Sequence, residues 1–430
     1  MFVSYARPVV ISTEGSTVCV GRALALCCKK PVTRLTLALM ALSFPGAAQT
    51  FSTLYSFAGG SNAAYPDAGV IVDTNGNLFG TTAAGGAGSF GAIYELSPGA
   101  GGAWAEKLLY SFLGGSDGAL PDASLVLGPG NVLYGTTFAG GTTGNGTVFQ
   151  LSPPANPGDA WTKTVLYSFQ GGSDGSGPKT AVTLGPSGTL FGTTFAGGAT
   201  GAGTVFQLAP PAGGAGDWSE RIIYSFLGGA DGQGPESGVI LERGRLYGAT
   251  CCGSEGGTVF QLRPAKSGMW TKISVFSFSA RSTGDTPAGN LAIDRNGVLY
   301  GVTVLGGASG YGTVFGLAPQ GTGQPYILTT IHDFTNGGDG GSPDSGVAHA
   351  ANGTLYVPVT SGCEYGAGGV LQFTPDGSGG WNESVLYSFT GAADGSQPQG
   401  IVLDHTNAIY GTTGFDGSAG YGTVYELLLP

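Results

Sequence analysis

Charge, cysteine and long apolar segments are all scarce in this 430-residue chain. Lys and Arg number only 16 against 27 Asp and Glu, and the formal net charge is −11. No Lys or Arg follows Arg295. Because nucleic acids and anionic membrane surfaces are bound mainly through basic side chains, the composition argues against both as partners.

Strong helix formers are diluted by 83 glycines and 24 prolines, which excludes an architecture of long helices. Glycine does not recur at every third residue, so a collagen helix is also excluded. Hydrophobic residues make up 41% of the chain and aromatic residues 10%, enough to bury a large core, which argues against disorder. The composition therefore predicts a turn-rich, all-β protein.

The first 48 residues differ from the rest and predict an export leader. Lys29, Lys30 and Arg34 precede an apolar run over residues 35–44, and small residues at 46–48 provide a cleavage point before Gln49. The run is too short to span a bilayer, although an N-terminal anchor helix is the alternative. We expect a leader over 1–48, with the signal at about 29–48, and a secreted or envelope-located domain over 49–430 without a membrane span.

Three markers recur in phase along residues 51–430. A Leu-Tyr-Gly-Thr-Thr-like segment is spaced by 53 to 57 residues, with its middle residue at Gly80, Gly135, Gly192, Gly248, Gly301, Val357 and Gly411. A Tyr-Ser-Phe-like segment ends at Phe57, Phe112, Phe169, Phe226, Phe278, Phe334 and Phe389. A Gly-Thr-Val-Phe-like segment begins at Gly91, Gly146, Gly203, Gly257, Gly312, Gly368 and Gly422. This part of the chain consists of seven repeats of a unit of about 55 residues.

Each copy holds four short β-type runs, which in the second copy cover 123–127, 132–137, 147–151 and 161–169. The last run places a Trp or Tyr six residues before another aromatic or His, so one strand face is aromatic and needs cover. Four-stranded sheets packed around an axis provide it, and we predict a seven-bladed β-propeller with four-stranded blades. A β-solenoid or sandwich array is the competing architecture.

The two ends of the repeat array predict how the ring closes. The first copy starts with a fourth-type run at 51–57, and the last copy stops after a third-type run at 422–427. Pairing these runs completes the seventh blade and covers two strand edges.

The best copies of the markers, at 133–137, 140–149 and 167–169, resemble the GloVer tandem-repeat family of exported bacterial proteins. The resemblance covers about residues 51–430. It implies a secreted or surface-displayed, propeller-like protein and offers no catalytic residues to carry over. Many members have a C-terminal sorting anchor; this sequence ends at Pro430 without one, so free export or a missing tail is expected.

Strand order predicts which face is functional. Gly-rich loops such as 138–146 and blade-to-blade loops such as 113–122 fall on one face, here called the loop face. An Asp-Gly followed by Pro recurs in the blade-to-blade loops. It has two interpretations, a carboxylate ring that binds Ca²⁺ or simple turn chemistry. The aspartates are Asp117, Asp174, Asp231, Asp339 and Asp394.

Residues that break the repeat are the other candidates for ligand binding on the loop face. Cys251 and Cys252 replace a Phe-Ala pair, and Cys363 lies in the equivalent loop two copies later. They predict a vicinal disulfide, a metal site or a reactive thiol, against the alternative of cysteines without chemistry. The full candidate set is Cys251, Cys252, Glu255, Arg281, Cys363, Glu364 and Tyr365.

Because nearly every motif recurs in all copies, whereas an enzyme needs a unique site, we predict a monomeric binding module without catalysis. Its expected ligands are extracellular glycans or proteins, and no cofactor is expected beyond the Ca²⁺ considered above. An extracellular polysaccharide lyase or hydrolase with a site at the channel mouth is the alternative, and a structural envelope or matrix protein is a third hypothesis.

Overall fold

The computed structural model describes residues 49–429, except 157, 215, 254–255, 267, 280–281 and 322–323. Within them the chain forms seven four-stranded antiparallel sheets, which confirms the predicted seven-bladed propeller. The leader predicted over 1–48 lies outside the described residues. No helix of the described chain has the length and apolarity needed to cross a bilayer.

Each blade has four strands, which we name inner, second, third and outer according to their position from the axis outward. The inner strands are Ile71–Val72, Val126–Leu127, Thr183–Leu184, Ile240–Glu242, Asp285–Ile293, Ala348–His349 and Ser396–Leu403. The second strands are Leu78–Thr82, Leu133–Thr137, Leu190–Thr194, Arg245–Thr250, Leu299–Leu305, Leu355–Val359 and Ala408–Phe415. The third strands are Ala92–Pro98, Thr147–Ser152, Thr204–Ala209, Thr258–Pro264, Thr313–Ala318, Gly369–Pro375 and Thr423–Leu428. The outer strands are Trp104–Ser111, Thr162–Ser168, Ser219–Ser225, Trp270–Ser277, Ile327–Asp333, Trp381–Ser388 and Thr50–Ser56.

Irregular elements connect the strands on both faces. A two-residue ladder joins Ala63–Ala64 to Ala84–Gly85. Single 3-10 turns occupy Ala100–Gly102, Gly115–Asp117, Pro129–Asn131, Gly172–Asp174, Pro186–Gly188 and Gly229–Asp231. Five of the inner strands are only two or three residues long, shorter than the run of five predicted at 123–127, because the residues before them line the axis instead of pairing.

Ring closure follows the predicted pairing. The first described strand, Thr50–Ser56, is the outer strand of the seventh blade and pairs antiparallel with Thr423–Leu428. The ladder continues into the next residue, where the Phe57 amide donates to the Gly422 carbonyl at 3.0 Å. The open edge of the last third strand is thereby covered, as the ends of the repeat array indicate.

The Phe of each Tyr-Ser-Phe segment fills the junction between two blades. All seven of these phenylalanines are 0% exposed. In six junctions the Phe ring meets the aromatic ring of the next blade's third strand, at centroid distances of 5.0 to 5.3 Å, as in Phe169 with Phe206. These edge-to-face contacts bury large apolar surfaces and set the spacing of the blades.

The central glycine of the second strand makes room for that third-strand ring. A Cβ on Gly192 would lie 2.4 Å from Cζ of Phe206, and one on Gly135 would lie 2.5 Å from Cζ of Phe149. An aromatic ring on the third strand therefore requires a glycine opposite it on the second strand. In the sixth blade both residues differ, with Leu371 in place of the ring and Val357 in place of the glycine.

We predict that Gly192→Val destabilises the propeller by about 3 kcal/mol, because the added branched side chain overlaps the Phe206 ring in a packed core. Adding Phe206→Leu recreates the pair of the sixth blade and should recover at least about 1 kcal/mol of that loss. Chemical denaturation of the two single variants and the double variant measures the coupling. Strictly additive losses would contradict this account.

Candidate functional site

A ring of strained backbone surrounds the axis on the loop face. The residue before the recurring proline of each blade has a positive φ of 52° to 64°, and in five blades this residue is not glycine. These residues are Tyr65, Leu120, Gly177, Gly234, Thr286, Ser342 and Gln397. Each donates its amide to a carbonyl of the preceding blade at 2.8 to 3.1 Å, and these seven hydrogen bonds hold the unfavourable conformation in place.

The residue after each of these prolines points to the axis, and in six of the seven blades it is polar. Together with the start of the inner strands these residues enclose an axial cavity of about 390 Å³. The fifth blade has Ala288 after its proline, and its polar residue in the lining of the cavity is Asn290. The polar residues after the prolines are Asp67, Asp122, Lys179, Glu236, Asp344 and Gln399.

The axial carboxyl groups are hard to ionise together. Burial, reinforced by the negative charges of Asp122 and Asp344, raises the pKa of Asp67 to about 7, although Asp67 is exposed to solvent at the cavity mouth. Burial also raises the pKa of Asp122 to about 6, with Lys179 opposing the rise. Near neutral pH the Asp67 carboxyl is therefore partly protonated and can donate as well as accept hydrogen bonds, whereas ionised carboxylates only accept.

One axial charge pair is neutralised within the ring. Lys179 Nζ lies 2.8 Å from a carboxylate oxygen of Glu236 in the next blade. By contrast, Oδ1 of Asp122 is buried and has no hydrogen-bond partner among the described residues. A buried polar atom of this kind is an available contact for a ligand that enters the cavity.

Exposed apolar rings lie on the same loop face as the cavity. The Gly-rich loops and the blade-to-blade loops pair through short bridges such as Ala119 with Ala139, so both belong to this face. Five rings and two leucine side chains on this face are 37% to 64% exposed. These side chains are Phe90, Leu113, Phe138, Leu227, Tyr311, Tyr365 and Phe415.

The five aspartates considered for Ca²⁺ take part in the blade junctions. Each accepts a hydrogen bond from a backbone amide four residues earlier at 2.6 to 2.9 Å. Each also contacts the Tyr hydroxyl or His nitrogen seven residues earlier at 2.7 to 3.0 Å. No three His, Cys, Asp or Glu side chains of the described chain are grouped to hold a metal. Calcium binding by Asp117, Asp174, Asp231, Asp339 and Asp394 stays a prediction.

A side chain from the outer strand of the following blade lies beside the aspartate in these junctions, and its residue type varies between copies. Lys163, 2% exposed, lies 2.9 Å from Asp117, and Lys272 pairs in the same way with Asp231 at 2.8 Å. Glu220 stands at the equivalent position beside Asp174. Burial and the Asp174 charge raise the pKa of Glu220 to about 7, and its Oε1 has no partner among the described residues.

The remaining predicted residues are distributed over separate places. Cys251 and Cys252 form a vicinal disulfide, one of the alternatives considered for them. Cys363 is a buried free thiol in the junction of the fifth and sixth blades, where burial raises its pKa to about 11. Glu364 and Tyr365 follow it on the exposed loop. Glu255 and Arg281 lie outside the described residues. Among the described candidates the structure brings together Cys251 with Cys252 and, by a side-chain hydrogen bond, Glu364 with Tyr365.

Sequence reasoning missed the axial ring, although a signal was present. The recurring proline marks the turn into each inner strand, and the next residue is polar in six copies and of five different types over the seven. Side chains that vary within an otherwise constant frame are expected at a ligand site, whereas the repeated Thr, Gly and Phe residues serve packing.

The family model for the Gloeobacter/Verrucomicrobia repeat matches residues 41–214 and 156–347. The chain belongs to this repeat family. The match confirms the resemblance found in the sequence. No curated protein sequence is similar to this Gloeobacter/Verrucomicrobia repeat protein.

Solved structures share its fold at low sequence identity. A fungal alcohol oxidase of the AA5 family in complex with copper is 13% identical, with 88% of this chain and 76% of that chain covered and a TM-score of 0.53. A puromycin hydrolase is 13% identical, with 84% and 53% covered and a TM-score of 0.52. The Pseudomonas aeruginosa periplasmic gluconolactonase is 16% identical, with 85% and 95% covered and a TM-score of 0.49. The similarities to the alcohol oxidase and the puromycin hydrolase show the propeller fold alone.

We predict that Glu220→Lys stabilises the protein by about 1 to 2 kcal/mol at pH 8, because it replaces a repulsive pair with the buried ion pair of the second and fourth blades. The gain should shrink at pH 5, where Glu220 is protonated and the repulsion is absent. Denaturation at both pH values measures it, and Glu220→Gln controls for loss of charge alone. A lower stability of Glu220→Lys at pH 8 would refute this interpretation.

A second prediction concerns Asp67 and pH. The native state keeps the Asp67 proton up to about pH 7, whereas the unfolded chain releases it near the ordinary value of 3.8. The native state thus binds more protons between these values, and wild-type stability should fall relative to Asp67→Asn as the pH rises from about 4 to 8. Denaturation across this range tests it, with the exposed Asp217→Asn as control. Parallel pH profiles of wild type and Asp67→Asn would show that Asp67 titrates normally.

Proposed function

We propose that this protein is an exported, non-catalytic binding module whose loop face recognises carbohydrate. One observation carries the proposal: a concave axial site with convergent carboxyl and amide groups lies on the same face as a set of exposed aromatic rings. Ligand sites combine such a concavity with a few polar groups that fix orientation. Sugars present hydroxyl groups to the polar atoms and apolar C–H faces to the rings.

The charge of the cavity supports a choice between glycan classes. Asp67, Asp122, Glu236 and Asp344 surround a single cation, Lys179. The local field opposes uronic or sulfated sugars and favours neutral or amino-bearing ones. The leader sequence supports export to the space where such glycans occur. Oligomeric state and protein partners stay open to measurement, with a monomer as the expectation.

A hydrolase with its site at the channel mouth is the second candidate, and the pKa values of Asp67 and Asp122 favour it. A carboxyl with a pKa near the working pH transfers protons efficiently, and two carboxyls with different pKa values suit acid and base roles. The exposed rings and Oδ1 of Asp122, which has no hydrogen-bond partner in the described part of the chain, favour ligand contact without requiring a reaction, so binding is the better-supported function.

Glycan-array screening of the purified protein, followed by calorimetry on the best hit, tests the proposal. We expect binding to a neutral or amino-bearing glycan that weakens about tenfold or more in Asp122→Asn, which changes the donor and acceptor pattern in the cavity. Asp217→Asn, on an exposed loop of the opposite face, should bind as wild type does. Absence of any glycan ligand for the folded protein would overturn the proposal. Release of new reducing ends that depends on Asp67 would favour the hydrolase instead.

A further inference from the structure

In three blades the residue just before the glycine of the Gly-Thr-Val-Phe-like segment covers a glycine of a blade-to-blade loop, and in the second blade that residue is Asn145, over Gly171. In the first blade the ring of Phe90 covers Gly114, where a Cβ would lie 2.8 Å from the ring. In the seventh blade the ring of Tyr421 covers Gly59 in the same way, at 2.7 Å. The junction surface on the loop face thus has a place shaped for one six-membered ring.

The third blade lacks this cover. Its residue at the position is Ala202, and the glycine it should shield, Gly228, has only Oε1 of Gln233 within reach, 3.4 Å from the place of a Cβ. The space forms a cavity of about 210 Å³ between the loops of the third and fourth blades, here called the junction pocket. Its lining includes Phe195, Thr200, Ala202, Leu227, Gln233 and Cys252.

The vicinal disulfide forms one wall of the same pocket. The backbone of Cys252 pairs with Gln233 in both directions, at 2.8 and 3.2 Å, and this fixes the wall against the blade-to-blade loop. Divalent sulfur is polarisable and contacts aromatic rings favourably. Two departures from the repeat, Ala202 and the Cys251–Cys252 pair, therefore meet in one place, which neither position suggests alone.

The sixth blade provides an internal comparison because it also has an alanine, Ala367, at the covering position. There the place of a Cβ on Gly391 lies 3.5 Å from Cβ of Ala367 and 3.9 Å from Oδ2 of Asp416. The loop around Gly391 therefore packs against Ala367, whereas the loop around Gly228 does not contact Ala202 at this point. An alanine at the covering position is therefore not sufficient for a cavity at the junction, because the neighbouring loop must also stand away from it.

We propose that the junction pocket is a second binding site, separate from the axial cavity, which takes a single monocyclic aromatic group of a ligand. The chain itself supplies the argument for the occupant, since Phe90 and Tyr421 place such a ring at the equivalent junctions. Phe195 and Leu227 offer apolar contact, Cys252 offers sulfur, and the exposed amide of Gln233 offers a donor and an acceptor for a ring hydroxyl.

Ligand-observed NMR titration of the intact protein with p-cresol, a mimic of the tyrosine side chain, tests the site. We expect a dissociation constant of about 1 mM for a probe of this size. Ala202→Tyr supplies the missing ring from the chain and should weaken binding at least about tenfold. Ala367→Tyr, the matched change in the sixth blade, should leave binding unaltered.

A second variant keeps the test decisive if Ala202→Tyr does not fold. Leu227→Ala removes an apolar side chain from the lining of the junction pocket and should weaken p-cresol binding at least about threefold. Equal binding by wild type and Ala202→Tyr would overturn the proposal, and so would undetectable binding to wild type at about 10 mM probe. Tighter binding of methyl glucoside than of p-cresol, abolished by Ala202→Tyr, would assign the pocket to sugars and refute the aromatic ligand.

Discussion

The whole ring depends on one steric arrangement, in which a phenylalanine from one blade meets a ring from the next above a glycine that has no side chain. The glycine allows the third-strand ring to lie flat across the second strand, and the preceding blade then closes the junction with its own Phe. Because the arrangement recurs in six of the seven junctions, aromatic packing sets the spacing of the blades, and ion pairs such as Lys163 with Asp117 add to it at two junctions.

The threonines after that glycine complete the junctions. The first donates to a carbonyl at the start of the next blade, as Thr136 does to Thr180 at 3.0 Å. The same contact crosses the closure, where Thr412 donates to the Ala68 carbonyl at 3.0 Å over a separation of 344 residues. The residues of the family motif thus serve packing and hydrogen bonding between blades, which explains why the motif repeats.

The two binding sites that we propose lie where the copies differ. Around the axis, the residue that differs between copies follows the recurring proline. The residue before that proline is held at positive φ by a hydrogen bond to the preceding blade, and this backbone geometry directs the differing side chains towards the axis. At the third junction the difference is a missing ring together with an added disulfide. Both places use a constant frame to present variable groups, and this is how a repeat without a unique motif acquires specific sites.

The sequence by itself determined the number of blades, the four runs in each and the closing strand pair, because these depend on periodic patterns that survive in one dimension. It also marked Cys251 and Cys252 as exceptions. Only the tertiary structure showed that Asp67, Asp122 and Asp344 converge, since they are separated by whole repeats and meet at the axis. The pocket beside Ala202 likewise depends on how far one loop stands from its neighbour, a distance that no local pattern encodes.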